Sequence, residues 1–262
     1  RFKKKSNQDM KLYFPKNNKG DWRIWRHKLM IPTLKQVRLK ESGYLPVGAK
    51  VINGTVSLKA GRFYVSVVIN IDEKSKYNKG LEASYHTVTD RVGIDLGVKD
   101  LAIVSDGKAF KNINKGSKVK RLEKRLRREQ RRLSRKYEFR KKKGGMTATA
   151  SANIDKQKLK VQKIHHRIDT IREDYENKVL HEIVKQKPRF ITMEDLNVRG
   201  MMKNKHLAKV VAAQRFNLIL TKLKRKAQIN GIEFRTVDRF YPSSKICHTC
   251  GHTNKGLKLK DR

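Results

Sequence analysis

Cysteine, acidic residues and long apolar runs are all scarce in this chain of 262 residues. Its only two cysteines, Cys247 and Cys250, exclude a disulfide scaffold and indicate a reducing cytoplasm. No apolar run is long enough to span a bilayer, which argues against a membrane partner. The 24 Asp and Glu residues stand against 65 Lys and Arg, so the formal net charge is +41. Such a charge repels itself unless a polyanion is bound, and it predicts nucleic acid as the partner.

Two short apolar runs each end in a carboxylate, one at Asp95 and the other at Glu194. A β-strand that ends in Asp or Glu holds its carboxylate rigidly at the edge of a sheet. Two such strands side by side, with a third acid nearby, can bind two divalent cations that clamp the oxygens of a phosphodiester. Asp95 and Glu194 are therefore candidate catalytic residues and metal ligands. The alternative is a pair of ordinary strand-terminal turns, where Asp and Gly are common.

The apolar pattern of the whole chain predicts an α/β protein with one mixed sheet. Residues 1–86 are β-rich, and the stretch from Trp22 to Pro32 is typical of either a nucleic-acid surface or a strand with one buried aromatic face. The other elements that we expect are a hairpin of residues 50–58 and 62–69, three short strands within 87–113, helices within 115–187, a loop at 198–202, one helix over 207–230 that ends at Gly231, and a strand at 232–237.

The helical segment opens with a densely basic stretch, since residues 115–143 contain 16 Lys and Arg against three Glu. Its apolar stripe is sparse, whereas the second helix carries Ile164, Ile168, Ile171 and Tyr175 at helical spacing. The two helices are predicted to pack as a hairpin, which leaves much basic surface free to meet phosphate. The alternative is a merely solvated charged face. The candidate nucleic-acid-binding residues are Arg121, Arg125, Arg128, Arg132, Arg135 and Lys136.

The two cysteines are separated by two residues and followed by Gly251, which allows a tight turn. Two thiolates at this spacing supply half of a tetrahedral Zn²⁺ site, so two further ligands are required. His248 lies between the thiols, where its side chain tends to point away, and His252 is also near. A second Cys pair beyond residue 262 is the better candidate for those ligands. The alternative is a reduced, metal-free pair.

Taken in chain order, three motifs resemble those of the TnpB (OrfB) proteins of bacterial insertion sequences, which are relatives of the type V CRISPR nucleases. The resemblance runs from about Lys50 to the end of the sequence. The motifs are Gly93-Ile94-Asp95-Leu96-Gly97, Met193-Glu194-Asp195-Leu196, and Tyr241-Pro242-Ser243-Ser244-Lys245 with the cysteine pair that follows.

The resemblance implies an RNase H-like (RuvC) domain with a helical insertion, preceded by a β-barrel-like wedge region and followed by a zinc element. It assigns residues 1–86 to an incomplete wedge-like region and residues 241–262 to the first half of the zinc element. Residues 87–240 become the nuclease domain, with a helical hairpin inserted at 115–187. A third catalytic Asp would follow a second Cys pair, so we expect the sequence to be part of a longer protein.

The resemblance also implies an activity, with its cofactors and partners. Asp95 and Glu194 would hold Mg²⁺ or Mn²⁺, and Cys247 and Cys250 would hold a structural Zn²⁺ together with the second pair. The expected activity is RNA-guided cleavage of DNA in the bacterial cytoplasm, at the nucleoid, with a guide RNA and a target DNA as partners. A nuclease-inactive RNA-guided repressor and an RNA-binding accessory protein remain alternatives. A ribosomal-type structural RNA binder is disfavoured, because it gains nothing from carboxylates that face phosphate. The oligomeric state stays open.

Overall fold

The computed structural model of the chain describes residues 10–16, 21–41, 43, 45–70, 91–142, 148–239, 241, 245–247, 249–254 and 256. The chain forms two compact units. The first contains residues 1–83 and 117–173, and the second contains residues 84–116 and 174–262. The division into wedge, nuclease and zinc regions stays a prediction.

Two antiparallel sheets make up the strand part of the first unit. Strands β1, β5 and β6 form one sheet, and β2, β3 and β4 form the other. The strands are β1 (Lys11–Pro15), β2 (Arg23–Ile24), β3 (Lys28–Ile31), β4 (Lys35–Arg38), β5 (Lys50–Lys59) and β6 (Arg62–Asn70).

The hairpin of β5 and β6 confirms the sequence prediction. Lys59 pairs with Arg62, so the connection is the two residues Ala60 and Gly61. Both have positive φ, 49° and 77°, as a type I′ turn requires. Glycine adopts this conformation without strain, which explains Gly61 at the second position.

The stretch from Trp22 to Pro32 was interpreted as either a nucleic-acid surface or a strand with one buried aromatic face. Its two tryptophans differ in their exposure. Trp22 is buried, and a Cβ added at Gly54 would overlap its indole ring. Trp22 is therefore a core residue of the small cluster that includes Leu29 and Ile31. Trp25, by contrast, is exposed.

Two long helices follow, α1 (Ser117–Lys142) and α2 (Ala148–Lys185), and α2 continues into the second unit from Asp174. The predicted helical hairpin is confirmed in the first unit. Arg172 contacts Glu123 at 3.2 Å, and Gln157 donates to the Glu129 carboxylate at 2.7 Å, so the helices are antiparallel. Ile164 and Ile168 are buried, as their spacing predicts.

The second unit is built on a sheet of mixed direction, which confirms the α/β prediction. Its strand order is β11-β10-β7-β8-β9. Strands β7, β8 and β9 are antiparallel neighbours, and β10 is parallel to both β7 and β11. The elements are β7 (Arg91–Leu96), β8 (Asp100–Val104), β9 (Ala109–Lys111), β10 (Phe190–Glu194), α3 (Val198–Lys203), α4 (Ala208–Gln214), α5 (Phe216–Ile229) and β11 (Glu233–Val237).

One face of this sheet carries the core of the second unit. Alternate residues of the two central strands, Val92, Ile94 and Leu96 on β7 and Ile191 and Met193 on β10, are buried. They pack in one cluster with apolar residues of α2 and α5, among them Leu180, Ile183, Ile219 and Leu223. Because side chains alternate along a strand, the residues between them belong to the opposite face.

Two expectations for the region after β10 are wrong. Residues 198–202, predicted as a loop, lie in the short helix α3, which Asn197 caps by accepting from the Gly200 N–H at 3.0 Å. The single helix predicted over 207–230 is broken at Arg215, whose φ of 53° and ψ of 40° separate α4 from α5. The buried carboxylate of Glu176 accepts from Arg215 Nε at 2.8 Å, and this contact between distant residues fixes the break.

The end of the last helix agrees with the sequence prediction. Gly231 has a φ of 66°, and its N–H donates to Gln228 while that of Ile232 donates to Ala227. These two bonds form a Schellman motif, and Ile232 and Ala227 are both buried beneath it.

Candidate functional site

The parallel register of β7 and β10 brings the two predicted acids together. Met193 is paired with Ile94, so Asp95 and Glu194 come next at the same level of adjacent strands. Neighbouring strands lie about 4.8 Å apart. Both residues alternate with buried core positions, which places their side chains on the face opposite the core.

Neither carboxylate is neutralised by its surroundings. Asp95 is exposed and Glu194 is half-buried, and no hydrogen bond or ion pair reaches either carboxylate from the part of the chain that the structure describes. Asp195, the acid that follows Glu194, does have a partner. Asp195 forms an ion pair with Arg239 at 2.6 Å, and its N–H donates to Val237, which ties the end of β10 to β11. Arg239, which lies two residues after the end of β11, was not among the site residues predicted from the sequence.

Small residues precede the two acids on their strands. Gly93 and Thr192 precede them on the same face, and both are small. Gly97 begins a tight turn into β8. A Cβ at this position would lie only 3.1 Å from the Asp100 carbonyl oxygen, so the turn leaves little space for a side chain. The Gly97 N–H donates to Leu101 at 3.3 Å. Asp95 therefore stands at an open edge of the sheet, directly before a tight turn.

The pair of acids suits a cation that takes only some of its coordinating ligands from the protein. Mg²⁺ is usually bound by one or two carboxylates, with water and substrate phosphate as the remaining ligands. Within the described residues, no cluster of three or more His, Cys, Asp or Glu could hold a metal. Asp95 and Glu194 fit this partial type of site rather than a closed protein cage.

The six basic residues predicted to bind nucleic acid lie on α1 in the first unit. Arg121, Arg125, Arg128, Arg132 and Arg135 are exposed, and their spacing of four, three, four and three places them in one stripe. The stripe runs over about 20 Å of helix. Val119, Leu122, Leu126 and Leu133, which are buried or half-buried, lie on a different face.

Two of the six residues are already engaged within the unit. Arg132 pairs with Glu129 at 3.0 Å, and the half-buried Lys136 donates to the Asn153 carbonyl at 3.1 Å. Arg125 forms no salt bridge but interacts electrostatically with Glu129. Arg121, Arg128 and Arg135 form no salt bridge with any described acid, so these three present the most available charge.

The cysteine segment forms a tight turn in the second unit. The Cys247 N–H donates to His252, the Gly251 N–H donates to Cys247, and Ile246 bridges Thr253. Gly251 has a φ of 71°, as the predicted turn requires. Cys247 and Cys250 are both exposed, whereas His248 lies outside the described residues.

This turn changes the chemistry of one thiol. The backbone N–H of Cys250, and next that of Thr249, hydrogen-bond to the Cys247 sulfur and lower the pKa of Cys247 to about 7. Hydrogen bonds to sulfur favour the charged form, and the thiolate is the form that binds metal or attacks an electrophile.

Comparison with known proteins identifies the family. Residues 74–205 match the OrfB_IS605 family model, described as a "probable transposase". The chain belongs to this family. Residues 216–262 also match the TNB domain of Cas12f1-like proteins.

Two relatives carry names that describe an activity. A protein of Streptomyces pristinaespiralis, "Putative RNA-guided DNA endonuclease", is 31% identical over 241 residues, which cover 91% of this chain and 54% of that protein. The Escherichia coli K12 protein "Putative RNA-guided DNA endonuclease InsQ" is 31% identical over 274 residues, which cover 99% of this chain and 61% of that protein. The chain thus spans little more than half the length of these relatives.

A solved structure shows the same fold. A cryo-EM structure of a Cas12f1 complex with its single guide RNA and target DNA matches with a TM-score of 0.50 at 16% identity. The match covers 96% of this chain and 54% of that protein.

In the described parts of the chain, no helix has the length and apolarity needed to cross a membrane.

The cysteine turn makes a testable prediction about pH. Because the pKa of Cys247 is lowered, its reactive thiolate should persist as the pH falls from 8.5 to 7, where an ordinary thiol is protonated. Alkylation of metal-free protein by iodoacetamide, followed by peptide mass spectrometry, should show Cys247 reacting several-fold faster at pH 7 in the folded chain than in urea. Equal rates in the two states contradict the hydrogen-bonded turn.

Proposed function

We propose that the chain is part of an RNA-guided DNA endonuclease and carries two carboxylates of its nuclease centre. The observation that carries this proposal is the position of Asp95 and Glu194. They stand at one level of adjacent parallel strands, on one face and without a protein partner among the described residues. A chain of net charge +41 that leaves two carboxylates open at a sheet edge is suited to a cation and a phosphate.

The chemistry at this edge is phosphodiester hydrolysis. Asp95 and Glu194 would hold Mg²⁺ or Mn²⁺, which when bound stabilises the charge that develops on the phosphate oxygens. The two strands hold the carboxylates rigidly, and the DNA backbone would approach past Gly93, which has no side chain, and Thr192, whose side chain is small. The family resemblance implies a third catalytic Asp, and the proposal includes it.

The sheet of the second unit supports an RNase H-like, RuvC-type nuclease fold. Three antiparallel strands, β7 to β9, are extended on one side by the parallel strands β10 and β11, and the acids lie on the two central strands. The two antiparallel sheets of the first unit are compatible with the proposed wedge region. Neither sheet is closed into a barrel by the described strands.

The proposed partners are a guide RNA and a target DNA. The relatives named as RNA-guided DNA endonucleases support them, as does the exposed basic stripe of α1. The stripe would follow phosphates of the guide or of its heteroduplex, which leaves sequence reading to base pairing. Such an enzyme would work on nucleoid DNA in the bacterial cytoplasm.

The exposed basic stripe of α1 also suits a second candidate, a nuclease-inactive RNA-guided repressor or an RNA-binding accessory protein, because phosphate contacts by α1 need no metal. A repressor would keep guide-dependent DNA binding and show no cleavage, so one assay separates the two candidates.

We expect full-length protein, copurified with its own RNA, to cut a plasmid library that carries the guide-matched target when Mg²⁺ is present. Asp95→Ala and Glu194→Ala should each lower the cleavage rate by more than about a hundredfold, because loss of groups that merely support metal ligands already costs 10–100-fold. RNA binding should be unchanged in both variants.

The matched control for cleavage is Asp155→Ala, which removes an exposed acid of α2 that lies in the other unit. It should cut at the wild-type rate. Guide-dependent binding without any cleavage by the wild type favours the repressor. Cleavage that survives both Asp95→Ala and Glu194→Ala places the nuclease centre elsewhere.

The basic stripe makes a separate prediction for RNA binding. Arg121→Ala with Arg128→Ala removes two exposed charges that pair with no acid in the described part of the chain. Each lost phosphate contact should reduce the slope of log K against log salt by about 0.7 to 0.9. Filter binding at several salt concentrations measures this slope. Lys108→Ala with Lys178→Ala is the control, because those lysines pair with Glu182 and Asp174. Equal slopes in the two double variants contradict a role for the stripe.

We also propose that Cys247 and Cys250 form the first half of a structural Zn²⁺ site. The tight turn and the stabilised Cys247 thiolate fit a zinc ligand, and the exposure of both thiols leaves room for further ligands. In the alkylation experiment on full-length protein, Zn²⁺ should protect both cysteines. Alkylation at an unchanged rate contradicts zinc binding.

A further inference from the structure

The turn that follows Asp95 is held by side chains from outside the turn. Three successive carbonyls, those of Gly97, Val98 and Lys99, each accept a hydrogen bond from a side chain. The donors are Gln214 Nε2 at 3.1 Å, Asn112 Nδ2 at 2.9 Å and Lys115 Nζ at 3.2 Å, respectively. Three consecutive carbonyl groups, beginning two residues after the candidate metal ligand Asp95, are therefore each held by a hydrogen bond.

Two of these donors are buried amides, which is unusual unless their polar atoms are satisfied. Gln214 is 2% exposed and Asn112 is 5% exposed. Asn114 connects them, since its N–H donates to Asn112 Oδ1 at 2.9 Å and its Nδ2 lies 3.3 Å from Gln214 Oε1. The amides therefore form one connected network inside the second unit.

The position of Gln214 is itself set by the break between α4 and α5. Gln214 is the last residue of α4, directly before Arg215 with its left-handed backbone. Glu176, 4% exposed as a side chain, binds the Arg215 guanidinium, and Lys222 Nζ lies 3.6 Å from its other oxygen. The ion pair holds the break, and the break directs Gln214 to the Gly97 carbonyl.

We propose that Gln214 is a positioning residue for Asp95, an inference that rests on the proposed nuclease function. Asp95 lies one residue beyond the last β7–β10 pair, so its distance from Glu194 depends on where the chain turns. Gln214 fixes that turn through Gly97, two residues later. Metal ligands need placement within about 0.5 Å, and they obtain it from neighbouring hydrogen bonds.

The test replaces the amide without removing the packing. Gln214→Met keeps a side chain of similar length but can neither donate to Gly97 nor accept from Asn114. The matched control is Gln228→Met, the same change at an exposed position of α5. Full-length protein is used for three measurements: hydrogen–deuterium exchange, Mn²⁺ binding by electron paramagnetic resonance, and guided cleavage against Mn²⁺ concentration.

We expect exchange to rise about tenfold or more in residues 95–101 of Gln214→Met, with β10 and β11 unchanged. Mn²⁺ affinity should fall about 10- to 100-fold, the usual loss when a group that supports metal ligands is removed. High Mn²⁺ should restore cleavage in Gln214→Met but not in Asp95→Ala. Gln228→Met should match the wild type in all three measurements.

Two results overturn the proposal. Wild-type exchange and Mn²⁺ affinity in Gln214→Met show that the turn does not depend on this amide. Exchange that rises equally in β10 and β11 shows a purely structural role. If Gln214→Met does not fold, Asn114→Ala takes its place, because it removes the bond to Gln214 Oε1 from a half-buried position and should give the same local pattern.

The failure of the proposed function gives a different result. A wild type that neither cleaves guided DNA nor binds Mn²⁺ in a manner that depends on Asp95 contradicts the nuclease centre itself. A wild type that does both, with Gln214→Met behaving identically, contradicts only the positioning role.

Discussion

Parallel pairing between β7 and β10 places two carboxylates at one level of a sheet, and the rest of the second unit is arranged around that pairing. Like charges on adjacent strands repel, and the described residues supply no cation to either of them. The strands nevertheless stay paired because their other face buries five apolar side chains against α2 and α5. Core packing thus holds together two groups that electrostatics alone would separate, which makes the edge a natural place for a divalent cation.

Polar contacts between residues that are distant in sequence restrain the backbone next to the two acids. The buried Glu176 holds Arg215 in a left-handed conformation that is costly for any residue with a Cβ. That break presents Gln214 to the turn after Asp95, and Arg239 pairs with the acid that follows Glu194. Each acid therefore sits next to a backbone segment that a distant side chain restrains. The proposed function of this site would therefore depend on residues that do not touch the substrate.

The sequence predicted the strands of the second unit, the helical hairpin, and the places of Asp95 and Glu194 near the ends of strands, because local periodicity reveals each of them. Asp95 and Glu194 end apolar runs, and Ile164 and Ile168 repeat at helical spacing. The break at Arg215 escaped prediction, because neither Gly nor Pro marks it and its cause is Glu176, 39 residues away. The amide network escaped for the same reason, since Gln214 and Gly97 are 117 residues apart. The α3 helix is only six residues long, too short for periodicity to reveal.

In the proposed nuclease centre, Asp95 and Glu194 together hold a divalent cation. The most direct test is anomalous X-ray scattering from Mn²⁺ in crystals of the full-length protein bound to its guide RNA. We expect an anomalous peak about 2 to 2.5 Å from an oxygen of each carboxylate. Mn²⁺ bound elsewhere while both carboxylates stand empty, or a lysine or arginine in the space between them, would contradict this proposal.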